Sequence, residues 1–333
     1  MGTFAHRHPA WAKGSLYRRF LTYVLCFFTI LSCVTAILSS PFNRDPLVLT
    51  VGSASFDPQR FKLGDKSCEG DWVLRRERLR LLEGELFGAQ ADILILQGVV
   101  AKSTSTYDSD EIILKAGSLG DFKWLKTLAH YYSEVDEDEY FVVAAKQGIL
   151  SDQPLPLAEV RAIGQDGQLV LQTLNFSEQP AVTIANLYLP TSAEKWPQAY
   201  PLINETIESY LKQQKSCGNR LILSGFVGDA KAREFQMLLK GLELFDSTAN
   251  LCQDGVCVSP TRDNPFFAAQ EMRANSNGSY RLYVPHSSRL IGASVFLHHP
   301  SPHKLFSEKY HFDQLWPSTY PGELVQIKLA NCP

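Results

Sequence analysis

Residues 91–99 have the sequence Ala-Asp-Ile-Leu-Ile-Leu-Gln-Gly-Val, in which four aliphatic side chains precede a glutamine and a glycine. A short, continuous apolar run that ends at such residues predicts a strand buried on both faces. This stretch is therefore predicted to be a central strand of a sheet, and the segments on either side of it are predicted next.

The segment before this strand predicts an amphipathic helix. Leu74, Leu79, Leu82 and Leu86 recur at near-helical spacing among arginines and glutamates. Asp71 is the predicted N-cap, and Gly88 is the predicted end. Further upstream, residues 47–51 (Leu-Val-Leu-Thr-Val) predict another buried strand. Strand, helix and strand in this order are typical of an α/β architecture.

The same alternation continues toward the C-terminus. Strands are predicted at 140–145, 168–174, 181–189, 220–223, 283–284, 293–297 and 324–329, and helices at 200–215 and 230–240. No internal repeat, low-complexity tract or linker divides the chain after residue 40. We predict a single domain over residues 41–333.

Composition narrows the class of protein. The chain has 333 residues, of which 45% are hydrophobic and 20% are charged, which excludes a disordered or collagen-like protein. The first forty residues hold four basic residues and no acid, so residues 41–333 hold 28 basic and 35 acidic residues, a net charge of −7. This acidic balance lacks the basic surplus that sequence-independent nucleic-acid binding needs, so we do not expect nucleic acid as a partner.

A membrane segment is predicted between Phe20 and Leu38, where nineteen residues carry no charge. A helix of this length spans about 30 Å, the thickness of the bilayer core. More basic residues precede the segment than closely follow it, so residues 1–19 are expected in the cytosol and the main domain on the exported side. We favour an uncleaved signal anchor; a cleaved signal peptide and a lipoprotein signal ending at Cys33 are the alternatives.

Cys252 and Cys257 flank a predicted hairpin turn at Asp254-Gly255. Such a hairpin would place the two cysteines opposite each other, with their Cα atoms about 4.5 Å apart, within disulfide range. We predict a Cys252–Cys257 disulfide; the alternative is two free thiols near a turn. The pairing of Cys68, Cys217 and Cys332 is left open.

Six short motifs follow one another along the predicted strands. In chain order they are Leu49-Thr50-Val51-Gly52, Leu96-Gln97-Gly98-Val99, Asn186-Leu187-Tyr188-Leu189, Leu221-Ile222-Leu223-Ser224-Gly225-Phe226-Val227-Gly228, Arg281-Leu282-Tyr283 and Ser318-Thr319-Tyr320. Their order resembles the exonuclease/endonuclease/phosphatase superfamily, which includes deoxyribonuclease I and neutral sphingomyelinases, over about residues 46–330. The resemblance implies a two-sheet, four-layer α/β sandwich, and the transmembrane helix predicted at residues 20–38 precedes it.

The catalytic residues of that superfamily are replaced at the matching positions. Gly98 stands where the family has a glutamate that binds Mg²⁺, and Phe226 and Gly228 stand where it has an aspartate and an asparagine. Tyr188 and Tyr320 stand in place of histidines. The resemblance implies a former cleft lined by Gly52, Gly98, Asn186, Tyr188, Phe226, Gly228 and Tyr320.

Asp229 and a cluster of histidines are two further candidates, for a catalytic residue and for a metal site respectively. Asp229 follows Gly228 directly, and we interpret it as a helix N-cap rather than a displaced catalytic aspartate. Four of the eight histidines fall between residues 298 and 311, where Pro300 and Pro302 prevent the helix that would align metal ligands, so an exposed loop is favoured.

We therefore predict a single-pass membrane protein whose main domain has lost hydrolytic activity and acts by binding or scaffolding. Its partner is an unidentified protein or lipid, and no cofactor is expected. The alternative is a divergent phosphodiesterase with relocated catalytic residues, which would require Mg²⁺.

Overall fold

The computed structural model describes fourteen segments of the chain. They are residues 47–55, 62–63, 66–67, 72–102, 119–129, 138–164, 167–177, 179–189, 196–228, 232–249, 279–296, 301–302, 314–315 and 322–330. The chain divides into two compact units, Met1–Asp45 and Pro46–Pro333, and all described residues belong to the second.

The described helices are α1 (Trp72–Ala89), α2 (Trp196–Gln213) and α3 (Arg233–Gly241). The described strands are β1 (Val48–Ser55), β2 (Lys62–Leu63), β3 (Lys66–Ser67), β4 (Ile93–Lys102), β5 (Phe122–Leu128), β6 (Asp138–Lys146), β7 (Glu159–Ile163), β8 (Gly167–Leu174), β9 (Val182–Leu189), β10 (Leu221–Val227), β11 (Leu244–Asp246), β12 (Ser279–Pro285), β13 (Arg289–Phe296), β14 (Ser301–Pro302), β15 (Gln314–Leu315) and β16 (Gly322–Lys328).

Two six-stranded mixed sheets carry the fold. Sheet 1 has the order β13-β16-β1-β4-β6-β5, and sheet 2 has the order β11-β12-β10-β9-β8-β7. Each sheet has one parallel pair at its centre, β1 with β4 and β9 with β10. The strands predicted from long apolar runs are therefore the central strands of the two sheets. Parallel strands at the centre of a sheet are buried on both faces.

The core forms three layers of side chains, which make a four-layer sandwich. The middle layer lies between the sheets and contains Leu49, Ile95 and Ile222. On the outer face of sheet 1, Leu82 and Leu86 of α1 pack near Leu94 and Leu96 of β4. On the outer face of sheet 2, α2 and α3 pack through residues such as Ile203 and Phe235. This confirms the predicted two-sheet α/β architecture.

The two sheets are aligned so that their parallel pairs begin at the same end. Ser53 near the end of β1 contacts Ser224 of β10, while Leu49 and Ile222 share the core below them. We call the end where β1, β4, β9 and β10 begin the lower rim and the end where they finish the upper rim.

Several sequence predictions lie outside the described residues. These are the membrane segment at 20–38, the N-cap Asp71, Asp229, the Cys252–Cys257 disulfide and the cluster of histidines. Among the described helices none is long and apolar enough to cross a membrane. Cys217 is the one cysteine in the described segments, and it is disulfide-bonded.

Candidate functional site

The position that the family resemblance assigns to the Mg²⁺-binding glutamate lies at the upper rim, where β4 carries a β-bulge. The pairing of β4 with β6 shifts between Leu96 and Val99, and Gly98 has a positive φ of 75°. A side chain is strained at this φ, so glycine suits the bulge conformation. The fold keeps the bulge, and Gly98 brings no ligand atom to it.

The bulge turns the side chain of Gln97 toward sheet 2. Its Nε2 donates to Oδ1 of Asn186 at 2.6 Å and to the carbonyl of Leu187 at 2.9 Å. Asn186 Nδ2 in turn donates to the carbonyl of Leu96 at 3.3 Å. We call this reciprocal set of bonds the Gln97–Asn186 tie. Both amides are buried and are occupied in joining the two sheets.

Gly225 makes room for this tie. It has a φ of 148°, and a Cβ on it would collide with the carbonyl of Leu187 and lie 2.8 Å from Nε2 of Gln97. The glycine of the family-like motif is therefore required here by the close approach of Gln97 and β9.

A second polar group lies beside the tie, formed by Ser53, Ser224 and Tyr280. The two serine hydroxyls are 2.5 Å apart, and the Tyr280 hydroxyl donates to the carbonyl of Ile95 at 3.2 Å. Burial raises the pKa of Tyr280 to about 12, although the two serines oppose the shift. This phenol is consequently neutral and a poor general base at physiological pH.

Gly52 lies on the other face of β1. A Cβ on Gly52 would meet the side chains of Leu94, Ala91 and Leu324, which belong to the outer packing of sheet 1. The next residue, Ser53, is the one that contacts sheet 2. Sequence reasoning did not single out Ser53, although the alternation of faces along a strand would have indicated it.

Two aromatic side chains occupy positions that the family resemblance assigns to a histidine and an aspartate. The rings of Tyr188 on β9 and Phe226 on β10 lie 5.7 Å apart at 31°, and both residues are half-buried. They are neighbours in the parallel register of β9 and β10. Gly228 follows at the end of β10, where its N–H donates to the carbonyl of Leu189.

The structure adds one acidic residue that the sequence analysis did not select. Glu323 of β16 is 1% exposed, and its carboxylate accepts bonds from Nη1 of Arg281 at 3.0 Å and from the N–H of Leu282 at 2.7 Å. The Thr248 hydroxyl lies 3.1 Å from the same carboxylate, and Asp246 accepts from Thr248. Glu323 therefore joins the last strand of sheet 1 to β12 of sheet 2.

Burial raises the pKa of Glu323 to about 7, and Arg281 opposes this shift. The signal in the sequence was the strand Gly-Glu-Leu-Val-Gln-Ile-Lys at 322–328, whose alternation places residues 323, 325 and 327 on one face. An acid on an otherwise apolar face is a candidate for a buried charge pair.

The described part of the site therefore brings together Gly98, Asn186, Tyr188, Phe226 and Gly228 at the upper rim. Tyr320 lies outside the described residues. No group of three or more His, Cys, Asp or Glu side chains that could hold a metal ion occurs in the described segments. Amides, hydroxyls, aromatic rings and the paired Glu323 and Arg281 make up this part of the site.

Sequence comparison alone does not place the chain, because no protein-family model matches it and no curated protein matches it in sequence. Solved structures do match. An endonuclease/exonuclease/phosphatase family protein from Bacteroides thetaiotaomicron superposes with a TM-score of 0.58 at 13% identity, covering 86% of this chain and 100% of that one.

Two further structures give the same result. A mannosyl-6-phosphatase from Bacteroides thetaiotaomicron has a TM-score of 0.56 at 12% identity, covering 84% of this chain and 99% of its own. The human Nocturnin catalytic domain, with a bound sulfate anion, has a TM-score of 0.56 at 15% identity, with coverages of 87% and 98%.

These likenesses establish the class of the fold. The chain has the fold of the exonuclease/endonuclease/phosphatase superfamily, the DNase I-like α/β sandwich. The resemblance drawn from the six motifs is thereby confirmed at the level of the fold.

Proposed function

We propose that the main domain is a binding or scaffolding module without hydrolytic activity. The observation that carries the proposal is the chemistry at the upper rim: Gly98, Tyr188, Phe226 and Gly228 occupy the positions that the family resemblance assigns to catalytic groups. None of these four side chains is a carboxylate or an imidazole.

The chemistry of the superfamily gives this substitution its weight. Mg²⁺ is held by carboxylates together with waters and substrate phosphate, and glycine and phenylalanine cannot replace them. Loss of a general base alone typically lowers a rate by about 10² to 10⁴. The remaining amides of Gln97 and Asn186 bond to each other, which supports a structural role for them.

The aromatic pair supports binding as the remaining activity. Tyr188 and Phe226 are half-buried and adjacent, and aromatic faces of this kind stack on sugars, lipid chains or peptide side chains. The partner is thus proposed to be a protein or a lipid rather than nucleic acid, in keeping with the net acidic main domain.

Hydrolysis of bis(p-nitrophenyl) phosphate by the full-length chain tests the proposal. With Mg²⁺ or Mn²⁺ at millimolar concentration, we expect the rate to equal that of the metal-containing buffer, while an active phosphodiesterase in the same assay releases nitrophenol. Metal-dependent turnover that Phe226→Ala or Tyr188→Ala abolishes, while Met237→Ala preserves it, would overturn the proposal.

The second candidate is a divergent metal-dependent phosphodiesterase. Its supporting observation is the nearness of two acids, Asp246 and Glu323, which share Thr248 as a hydrogen-bond partner. Both carboxylates already accept bonds from protein groups, so Mg²⁺ would have to displace Arg281 from Glu323. Metal-dependent turnover lost in Glu323→Gln would favour this candidate.

Membrane anchoring is proposed through residues 20–38. The support is the length of the uncharged run together with the disulfide at Cys217, since disulfides persist in oxidising, exported compartments. We expect the full-length chain to remain in the membrane fraction after alkaline carbonate washing and a chain lacking residues 1–40 to be released. Release of both would contradict anchoring by this segment.

The same proposal orients the main domain. Protease added to the exported side of intact membranes is expected to digest the main domain. A tag placed before Phe20 is expected to be protected. The opposite pattern of protection would overturn the proposed orientation.

A further inference from the structure

We propose that the disulfide partner of Cys217 is Cys332, so that a covalent bond ties the C-terminus to the start of β10. The structure shows that Cys217 is disulfide-bonded, and the other six cysteines lie outside the described residues. The positions at which the described segments end decide among them.

Cys217 lies at the lower rim. Its carbonyl accepts a hydrogen bond from the N–H of Arg220 at 3.0 Å, in a short 3-10 turn that leads directly into β10. The neighbouring Ser216 contacts Thr183, the second residue of β9. Both contacts place Cys217 below the strands of sheet 2, at the end opposite the former cleft.

Cys332 follows a strand that finishes at the same rim. β16 runs antiparallel to β1, with Val48 opposite Lys328, so its C-terminal end lies where β1 begins. Leu329 is fully buried, shares the core cluster with Val182 and Ile222 of sheet 2, and donates to the carbonyl of Leu47. Cys332 is three residues further along, within about 11 Å of Leu329.

The described residues that follow Cys68 and that precede Cys252 lie toward the opposite rim. Cys68 is four residues before α1, the helix that connects the upper end of β1 to the lower end of β4. Cys252 is three residues after Ala249, close to the level of the Glu323–Arg281 pair at the upper part of the sandwich. The strands between the rims are about 25 Å long. The chain between each of these cysteines and the described residue named for it spans at most about 14 Å, so neither cysteine reaches Cys217.

The remaining cysteines are disfavoured by sequence. Cys257 reaches the lower rim only if residues 250–257 extend fully, which the Asp254-Gly255 turn signal opposes. Cys26 and Cys33 lie in the predicted membrane segment. Cys332 is thus the cysteine that closely follows a described residue, Leu329, at the same rim as Cys217.

The proposed bond closes a loop that contains α3 and the strands from β10 to β16. It would hold the last strand of sheet 1, which carries Glu323, against the base of sheet 2. Because cross-linking a long loop restricts the unfolded chain most, reduction is expected to lower the midpoint of thermal unfolding.

Peptide mapping of the full-length chain purified without reductant tests the pairing. Trypsin should release residues 216–220 (Ser-Cys-Gly-Asn-Arg) joined to residues 329–333 (Leu-Ala-Asn-Cys-Pro), and reduction should separate the two peptides. Linkage of residues 216–220 to any other cysteine-containing peptide, or their recovery as a free thiol, would overturn the proposal.

Two serine variants provide matched controls. In Cys332→Ser the linked peptide should disappear and Cys217 should react with an alkylating reagent before reduction. In Cys252→Ser the linked peptide should remain. If Cys252→Ser instead removes it while Cys332→Ser leaves it, the pairing is wrong.

Discussion

Gly225 shows how a single residue shapes the upper rim. Its φ of 148° and the closeness of the Leu187 carbonyl leave no space for a Cβ. We expect Gly225→Ala to lower the free energy of unfolding by at least about 3 kcal/mol, because the strand must shift away from Gln97. Urea denaturation measures the change.

Gly84 is the matched control for this substitution. It lies in α1, and a Cβ there meets no atom within 4 Å. Gly84→Ala should stabilise the protein by about 0.5 to 1 kcal/mol, since alanine is the better helix former. Equal effects of the two substitutions would contradict the steric role of Gly225.

Glu323 is expected to make the free energy of unfolding depend on pH. Burial raises its pKa from 4.5 to about 7, so the folded chain binds this proton more tightly than the unfolded chain. The contribution to stability is fully present below about pH 4.5 and is lost as the pH rises through about 7, with a total near 3 kcal/mol.

Glu323→Gln, which does not titrate, isolates this effect. Urea denaturation between pH 4.5 and 8 measures the unfolding free energy of both proteins. As the pH rises, the wild type should lose stability relative to the variant. A difference that stays constant over this range would show that the carboxyl does not titrate there.

Sequence reasoning reached some of these residues and missed others. The motifs located Gln97, Gly98, Asn186, Tyr188 and Phe226, because these residues fall in the apolar runs that form β4, β9 and β10. Ser53 and Glu323 were missed, although the alternation along β1 and β16 indicates the face that each occupies. The alternation does not indicate which residues of sheet 2 they contact. The register between distant strands determines this contact, and it is not encoded locally.

At the scale of elements, the Gln97–Asn186 tie joins β4 to β9. Gln97→Leu would leave the Asn186 Oδ1 and the Leu187 carbonyl without this donor in a buried site. We expect a loss of about 2 to 4 kcal/mol in unfolding free energy. In a double-mutant cycle, adding Asn186→Leu should cost less than Asn186→Leu does alone. Strict additivity would show that the two amides act independently.

Helix α3 provides a test of the outer layer of sheet 2. Phe235 is fully buried and packs edge-on against Tyr283 with ring centroids 5.4 Å apart. Phe235→Ala should lower the free energy of unfolding by about 3 to 5 kcal/mol. Met237, on the same helix, is 62% exposed, and Met237→Ala should change it by less than about 0.5 kcal/mol. Similar losses would contradict the described orientation of α3.

The central strands were predictable from sequence, and of the four edge strands of the two six-stranded sheets only β13 was predicted in part, at 293–297. β1, β4, β8, β9 and β10 are long apolar runs, and β16 alternates clearly. β5 and β7 lie at the edges of their sheets and carry lysine, glutamate and arginine among short apolar stretches. Charged residues on edge strands prevent pairing with other chains, and they also weaken the hydrophobic pattern.

Across the whole molecule, the same motifs supply residues for packing and residues for the candidate site. The bulge at Gly98, the glycine at 225 and the Gln97–Asn186 tie all serve packing. The positions that the family resemblance assigns to catalysis carry glycines and aromatic rings at the described upper rim. Different residues of the same motifs therefore serve the fold and the candidate site.

Isothermal titration of Mg²⁺ into the full-length chain tests the proposed absence of hydrolytic activity most directly. At up to 10 mM Mg²⁺ we expect no saturable heat, because Gly98, Phe226 and Gly228 provide no metal ligand and Glu323 is paired with Arg281. Mn²⁺ and Ca²⁺ titrations should give the same result. A stoichiometric isotherm that Glu323→Gln abolishes, while Met237→Ala preserves it, would contradict the proposed absence of hydrolytic activity. It would identify relocated carboxylates as a metal site.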